Sequence, residues 1–379
     1  MIKIVYVITN CKNTGPMNQT YNIIKNLDRS IFQPIVVTLF PEEAGNSVID
    51  RYLKVVSEHY CLEMNKVTAV LAGRGKLKVL LEKIHPDLIQ GLGMPPYTLS
   101  LGYKDAVHLV TLRNYCYQDY PDYYGKRFGI LLAHKDMALI RRQMKKGEPF
   151  VTCSESLSRM YAEKHHMKFD FIKNGVDTER YKYADAARKE EQKKKLGLSK
   201  DKIIIACAGL FIDRKDQQFA IEGILRCSHA DQICMVLMGA GPNLEHLQKE
   251  YGKDKRFLFT GEIKNVCDYL QASDAYLSAS KSEGMPNGVL EAMSTGLPVF
   301  LSDIPQHMEV LGEDGKYGSS YRLGDKENFA SQLDRFLDMD LPAMGAAAGE
   351  AARNEFSSVV MSRRYQELYL KLMEDRRKK

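Results

Sequence analysis

Two carboxylates and two neighbouring cations carry the chemistry legible in this 379-residue sequence. Glu283 and Glu291 lie in the run Ser282-Glu283-Gly284-Met285-Pro286-Asn287-Gly288-Val289-Leu290-Glu291, and Arg214-Lys215 follows Ala208-Gly209-Leu210-Phe211-Ile212-Asp213. Gly284 lets backbone approach a ligand, Pro286 stiffens the turn, and Asn287 suits the cap of a helix running to about Thr295. The unpaired amides of such a helix start form a site for phosphate. Glu283, ahead of the turn, is placed to accept hydrogen bonds from sugar hydroxyls, and Glu291, one turn into the helix, to hold a vicinal diol such as ribose. The competing account makes Glu291 a partner of the helix dipole and Glu283 an exposed loop acid. Arg214 and Lys215 stand at the entrance of a helix bearing Phe219, Ile224 and Leu225, where acids are normally preferred. A bound diphosphate would offset that cost, and so would pairing with Asp213 or Asp216.

Elements able to position these residues recur along the chain. Short apolar runs at 2–8, 34–40, 88–90, 107–111 and 150–153 alternate with helical segments, which predicts parallel strands joined by helices. The pattern restarts at 203–207 and repeats at 233–238, 256–260, 275–279 and 298–301, the mark of a second doubly wound unit. The expected domains are 1–175, 176–355 and a closing helix, 356–379, that packs back on the first. Between the two sets, the segment 177–202, with its highly charged run 188–195, reads as a surface helix or connector.

Composition is that of a soluble globular chain, 44% hydrophobic and 27% charged. The start at Met1 shows no basic leader or cleavage site, and no stretch is long and apolar enough for a membrane span. Eight cysteines without a Cys-x-x-Cys pair argue against a zinc site or disulfide framework, so a cytoplasmic location is expected. Net charge is +6 but unevenly spread: residues 1–175 hold 24 Lys and Arg against 16 Asp and Glu, and the remainder 30 against 32. The basic first half suits an anionic partner, such as membrane lipid at the inner face of the cell membrane, or is a solvated face without one. Arg141, Arg142, Lys145 and Lys146, with Arg74, Lys76 and Lys78, are its candidate contacts. No nucleic-acid partner is expected.

Two loops of the first half complete the list. After the first strand, Asn13-Thr14-Gly15-Pro16 precedes a helix, with Pro16 suited to its first turn. After the run 107–111 comes Arg113-Asn114-Tyr115-Cys116-Tyr117, a loop continuing through Tyr120, Tyr123 and Tyr124, whose aromatic faces and polar edges suit sugars. His134 reads as a structural histidine.

Together these residues resemble the retaining glycosyltransferases of family four, with the GT-B fold: α/β, two Rossmann-like doubly wound domains facing each other across a cleft. Gly209 with Lys215, the Gly239-Ala240-Gly241-Pro242 turn, Thr260-Gly261-Glu262-Ile263 and Asn174-Gly175-Val176-Asp177 support the Glu-x7-Glu loop in that order. The resemblance implies that Lys215, with Arg214, neutralises the donor diphosphate and that Glu283 holds donor-sugar hydroxyls. It further implies that Gly209, Gly239, Gly284, Met285, Pro286 and Asn287 border the donor, that Glu291 binds ribose, and that Ile263 lies beside the base. Gly15, Arg113 and Asn114 would edge the acceptor side. The chain departs from the family at Leu210, where arginine is usual, at the single Gly15, and at Arg113, where histidine is usual. The implied reaction moves a sugar from a UDP- or GDP-sugar to a saccharide or lipid-linked saccharide, with no cofactor. The absence of an Asp-x-Asp pair leads to the expectation of no metal. An epimerase or hydrolase on the same scaffold, or an inactive nucleotide-sugar-binding partner subunit, is the alternative.

Overall fold

The computed structural model describes residues 1–312 and 315–378. The chain divides into two units, one made of residues 1–175 together with 358–379 and the other of 176–357.

In the first unit, β1 (Ile2–Ile8), β2 (Phe32–Thr38), β3 (Glu58–Cys61), β4 (Leu88–Gly91), β5 (Val107–Leu112), β6 (Phe150–Thr152) and β7 (Asp170–Phe171) form one parallel sheet in the order β3-β2-β1-β4-β5-β6-β7. The central strand β1 reads as a nearly unbroken apolar run because helices cover both its faces. Ile4, Tyr6 and Ile8 enter one core and Val5 and Val7 the other. The helix Ser358–Arg377 closes the first of these cores. Its Met361, Tyr365, Tyr369 and Met373 recur every fourth residue and so share one face. Burying two phenols there requires partners for their hydroxyls. Tyr365 shares a hydrogen bond of 2.8 Å with Thr111 of β5; Tyr369 donates to Gln90 of β4 at 2.5 Å and lies 3.1 Å from Tyr6 of β1.

The second unit repeats the plan with six parallel strands: β8 (Ile203–Ala208), β9 (Ile233–Met238), β10 (Phe257–Gly261), β11 (Ala275–Ser278), β12 (Val299–Ser302) and β13 (Gly318–Tyr321). Their order is β10-β9-β8-β11-β12-β13. An aromatic cluster of Phe219, Phe300, Tyr321, Phe329 and Phe336 fills one side of this sheet. In each sheet the order reverses beside the first strand, between β1 and β4 and between β8 and β11. Such a reversal opens a crevice at the carboxyl ends of the strands, where ligands bind in folds of this kind.

The charged run is a helix, Ala186–Lys195, but it is not wholly at the surface. Lys193 is 5% exposed and pairs with Asp274 at 3.0 Å, so this helix is anchored to the unit by charge rather than by an apolar stripe. The tyrosine-rich segment also differs from expectation. It is not a loop but the helix Cys116–Tyr124, with Pro121 inside it. Most of its rings are spent on packing: Tyr117 stacks on His165 and bonds His134 at 2.9 Å, and Tyr120 donates to Asp136 at 2.6 Å. Only Tyr123 and Tyr124 are exposed, so the broad aromatic surface expected for sugars is not present. His134 is itself exposed and shares that hydrogen bond with Tyr117.

Candidate active site

The residues singled out in the second unit come from the carboxyl ends of its strands. Gly209, Arg214 and Lys215 follow β8, Gly239 follows β9, Ile263 follows β10, and the Glu283 loop follows β11. The loop tops are stitched by backbone bonds. Gly209 donates to Met238, Phe211 to Ala240, and Gly239 to Gly261, all at 2.9 Å. This approach is so close that a Cβ on Gly239 would stand 2.0 Å from the Gly209 carbonyl oxygen, and Gly239 also has φ +143°. Glycine is therefore required there by sterics alone.

Lys215 and Arg214 both reach Glu283. Lys215 Nζ lies 2.5 Å from Glu283 Oε1, and Arg214 Nη1 lies 3.2 Å from Oε2 and donates to the Ser282 carbonyl at 2.7 Å. Pairing with Asp213 or Asp216 is not how these cations are held. Asp213 accepts from Asn243, and Asp216 pairs with Lys281. The Glu283 side chain is 7% exposed, so it is not an exposed loop acid. Burial alone would raise its pKa, but Lys215 and Arg214 outweigh that cost and hold it down to about 2.

The helix after this loop spans Asn287–Ser294, preceded by Pro286. Asn287 is therefore the first helical residue and not the cap, a correction that follows from Pro286 taking the flanking position. Gly284, Met285 and Pro286 are buried beneath the turn. Glu291, half-buried further along the helix, has a different environment. Burial pushes its carboxyl up to about 7, against the opposing pull of Arg180, a Tyr181 hydrogen bond and Lys215. Lys215 thus acts on both carboxylates, the near one by contact and the far one through space. Gly288, on the same turn, could not carry a side chain, since a Cβ there would meet the Tyr276 hydroxyl at 2.5 Å.

Three neighbours were not anticipated. Arg180 and Tyr181 belong to a segment that reads as a connector, and nothing in its spacing ties it to Glu291. His307, fully buried, follows β12 and lies within the field of Glu283. Ser302 Oγ donates to the Ser280 carbonyl at 2.6 Å, so His307 Nδ1 must be the donor towards Ser302, at 2.9 Å. Nε2 is then a bare acceptor, without a partner among the described residues. Burial lowers the imidazole pKa to about 4 and keeps it neutral. The available signal was the apolar run ending at Leu301 followed by Pro305, which announces a strand, a loop and a helix start carrying a histidine.

In the first unit, Gly15 opens the helix Gly15–Lys25. Pro16, Arg113 and Asn114 line a pocket of about 210 Å³ at the carboxyl ends of β4 and β5. Arg113 Nη1 donates to Asn174 at 3.0 Å. The structure therefore brings Lys215, Arg214, Glu283 and Glu291 together in one unit and Pro16, Arg113 and Asn114 together in the other. Ile263 is half-buried just past β10, and Leu210 is 50% exposed.

Residues 201–339 match the family model described as glycosyl transferases group 1. Over that segment the chain is similar to the group 1 glycosyl transferases. Across the whole chain the architecture is that of GT-B glycosyltransferases: HepE from Anabaena, solved in complex with UDP-glucose, superposes with a TM-score of 0.75 at 15% identity, covering 98% of this chain and 100% of that one. Among curated relatives, the UDP-Gal:alpha-D-GlcNAc-diphosphoundecaprenol alpha-1,3-galactosyltransferase of Escherichia coli is 32% identical over 45% of this chain and 46% of that protein. The N-acetyl-alpha-D-glucosaminyl L-malate synthase of Bacillus anthracis is 24% identical over 90% of this chain and 97% of that protein. The chain spans about half the length of the first curated relatives it matches. The matched segment includes β8 to β13 and with them Arg214, Lys215, Glu283, Glu291 and His307, while Arg180 and Tyr181 lie before it.

Proposed function

We infer that this protein is a glycosyltransferase that moves a sugar from a nucleotide-sugar, a UDP- or GDP-sugar, to a saccharide or lipid-linked saccharide in cell-surface polysaccharide synthesis, retaining the anomeric configuration. The observation that carries the reading is the ion cluster of Lys215 and Arg214 on Glu283, set at the switch point of the segment similar to the group 1 glycosyl transferases. In the reaction the bond from the anomeric carbon to the diphosphate breaks and a bond to an acceptor oxygen forms. The acceptor proton passes to the leaving diphosphate. Negative charge grows on that diphosphate in the transition state, and stabilising it is the main task of the protein. Lys215 supplies the charge, turning from Glu283 towards phosphate, while Glu283 is freed to accept sugar hydroxyls. Glu291 holds the ribose diol. The cationic pair performs the neutralisation a divalent cation performs elsewhere, and the reading includes transfer without one.

The names of relatives support a lipid-linked or saccharide acceptor, since the Escherichia coli protein acts on a GlcNAc-diphosphoundecaprenol. Association of the first unit with anionic lipid belongs to the same reading. Val67, Val70 and Leu71 of the helix Lys66–Leu71 are 65%, 84% and 81% exposed, beside Lys66, Arg74 and Lys76. No helix among the described residues is long and apolar enough to cross a membrane. The test is a panel of UDP- and GDP-sugars scored by thermal stabilisation, followed by NMR of the product formed from the best donor. Stabilisation by one donor class and an axial-to-axial or equatorial-to-equatorial outcome support the reading. Indifference to every nucleotide-sugar, or an inverted linkage, overturns it.

A further inference from the structure

Arg113 presents a different situation from the cations of the second unit. A guanidinium has one edge, Nε–H and Nη2–H, whose two bonds run parallel and match the two oxygens of a carboxylate or phosphate. In Arg113 this edge is buried, and neither nitrogen has a hydrogen-bond partner among the described residues, while Nη1 is occupied by Asn174. No carboxylate pairs with Arg113 among the described residues. A buried cation without countercharge carries a desolvation penalty, and structural arginines normally arrive with an acid to cancel it. This one sits instead on the wall of the 210 Å³ pocket beyond β4 and β5.

The remaining walls indicate what such an anion is attached to. Leu92, Val110, Leu112 and Ile140 contribute apolar lining, which strengthens any charge pairing inside. The lining also has polar members: Tyr120 donates to Asp136, whose carboxyl is pushed up by burial, and Asp119 is itself engaged. A Tyr–Asp pair of this kind, its phenol proton already given to the carboxylate, offers acceptor lone pairs to a ligand hydroxyl, not a second cation to an anion. We propose that this pocket binds a hydroxylated oxyanion, a sugar acid or sugar phosphate, with the Arg113 edge clamping two of its oxygens and the Tyr120–Asp136 pair contacting a hydroxyl. This deepens the transferase reading, on which it rests for the step the ligand enters: the bound molecule is the acceptor, and the acceptor is acidic.

The pocket is tested by calorimetric titration of the full chain with D-glucuronate, glucose 6-phosphate and D-glucose, in saturating UDP so that the second unit's anion site is filled. Either acid should bind at least about tenfold more tightly than glucose. Preference for glucuronate identifies a carboxylate ligand and preference for glucose 6-phosphate a phosphate. Arg113→Lys, which keeps the charge and loses the paired edge, should weaken the acid about tenfold. Arg113→Met should weaken it about a hundredfold, with UDP affinity unchanged in both. Equal affinity for glucose and both acids in the wild-type protein overturns the proposal without any variant, and so does full acid binding by Arg113→Met. Failure of UDP itself to bind counts against the transferase reading and leaves the pocket's anion preference measurable on its own.

Discussion

Arg214 and Arg113 are both buried guanidiniums near the carboxyl ends of parallel strands, one in each unit, and they are treated in opposite ways. Arg214 shares a carboxylate with Lys215, and the acid so held is depressed to about 2. Among the described residues the Arg113 guanidinium has only the amide oxygen of Asn174. The second unit neutralises its cations internally, so under the proposed function a diphosphate would compete with Glu283 for Lys215. The first unit leaves its cation uncompensated. A site with internal compensation is stable when empty and must rearrange to bind; a site without it is strained when empty and relieved by its ligand.

The sharpest way to break this comparison is to remove the shared acid. Glu283→Gln strands two cations and should cost about 3–5 kcal/mol in urea unfolding, whereas Arg113→Met removes a stranded one and should cost less than about 1 kcal/mol or stabilise. Equal losses would mean that the two arginines are not held differently. Next in size, Lys215→Ala should lower turnover about 10²- to 10³-fold in an assay of nucleotide release, the effect of losing one charge-stabilising donor. A loss under fivefold would take Lys215 out of the reaction.

Two pH profiles sharpen the contrast between the carboxylates. Glu283 is depressed from an ordinary 4.5 to about 2, so the folded state binds fewer protons than the unfolded one in that window. Its contribution is complete above pH about 4.5 and is lost as pH falls towards 2, and Glu283→Gln should flatten that limb of the stability curve. Glu291 is raised from 4.5 to about 7, so the folded state holds the extra proton and this group's contribution to stability declines as pH rises from about 4.5 to 7. Ionised, Glu291 is the stronger acceptor for a diol. Affinity for UDP should therefore rise about fivefold as pH passes through 7, and Glu291→Gln should abolish the rise.

What could be read beforehand followed the depth of each element in its sheet. Strands flanked by neighbours on both sides, such as β1, β8 and β11, need apolar residues on both faces and so declare themselves as runs. The unanticipated strands are β3, β7 and β13, all at sheet edges. With one neighbour each, Glu58-His59-Tyr60-Cys61 and Gly318-Ser319-Ser320-Tyr321 can afford polar residues and carry no such run. The site divides in the same way. Lys215, Glu283 and Glu291 lie in local patterns of glycine, proline and charge, and were legible. His307, Arg180 and Tyr181 reach the cluster only through the fold, from segments whose local sequence serves packing. The tyrosines of 115–124 misled for a related reason: an aromatic residue looks the same in sequence whether it faces a ligand or a neighbouring helix.

The helix Ser358–Arg377 belongs to the same unit as residues 1–175, although residues 176–357 separate them in the chain. During synthesis the first unit therefore emerges with one core uncovered, lacking Tyr365 and Tyr369, while residues 176–357 leave the ribosome as an uninterrupted block. The later-made unit can mature first, and the earlier one waits for Ser358–Arg377. A stop codon placed after Ser357 would spare residues 176–357 and leave the sheet of β1 to β7 exposed to aggregation.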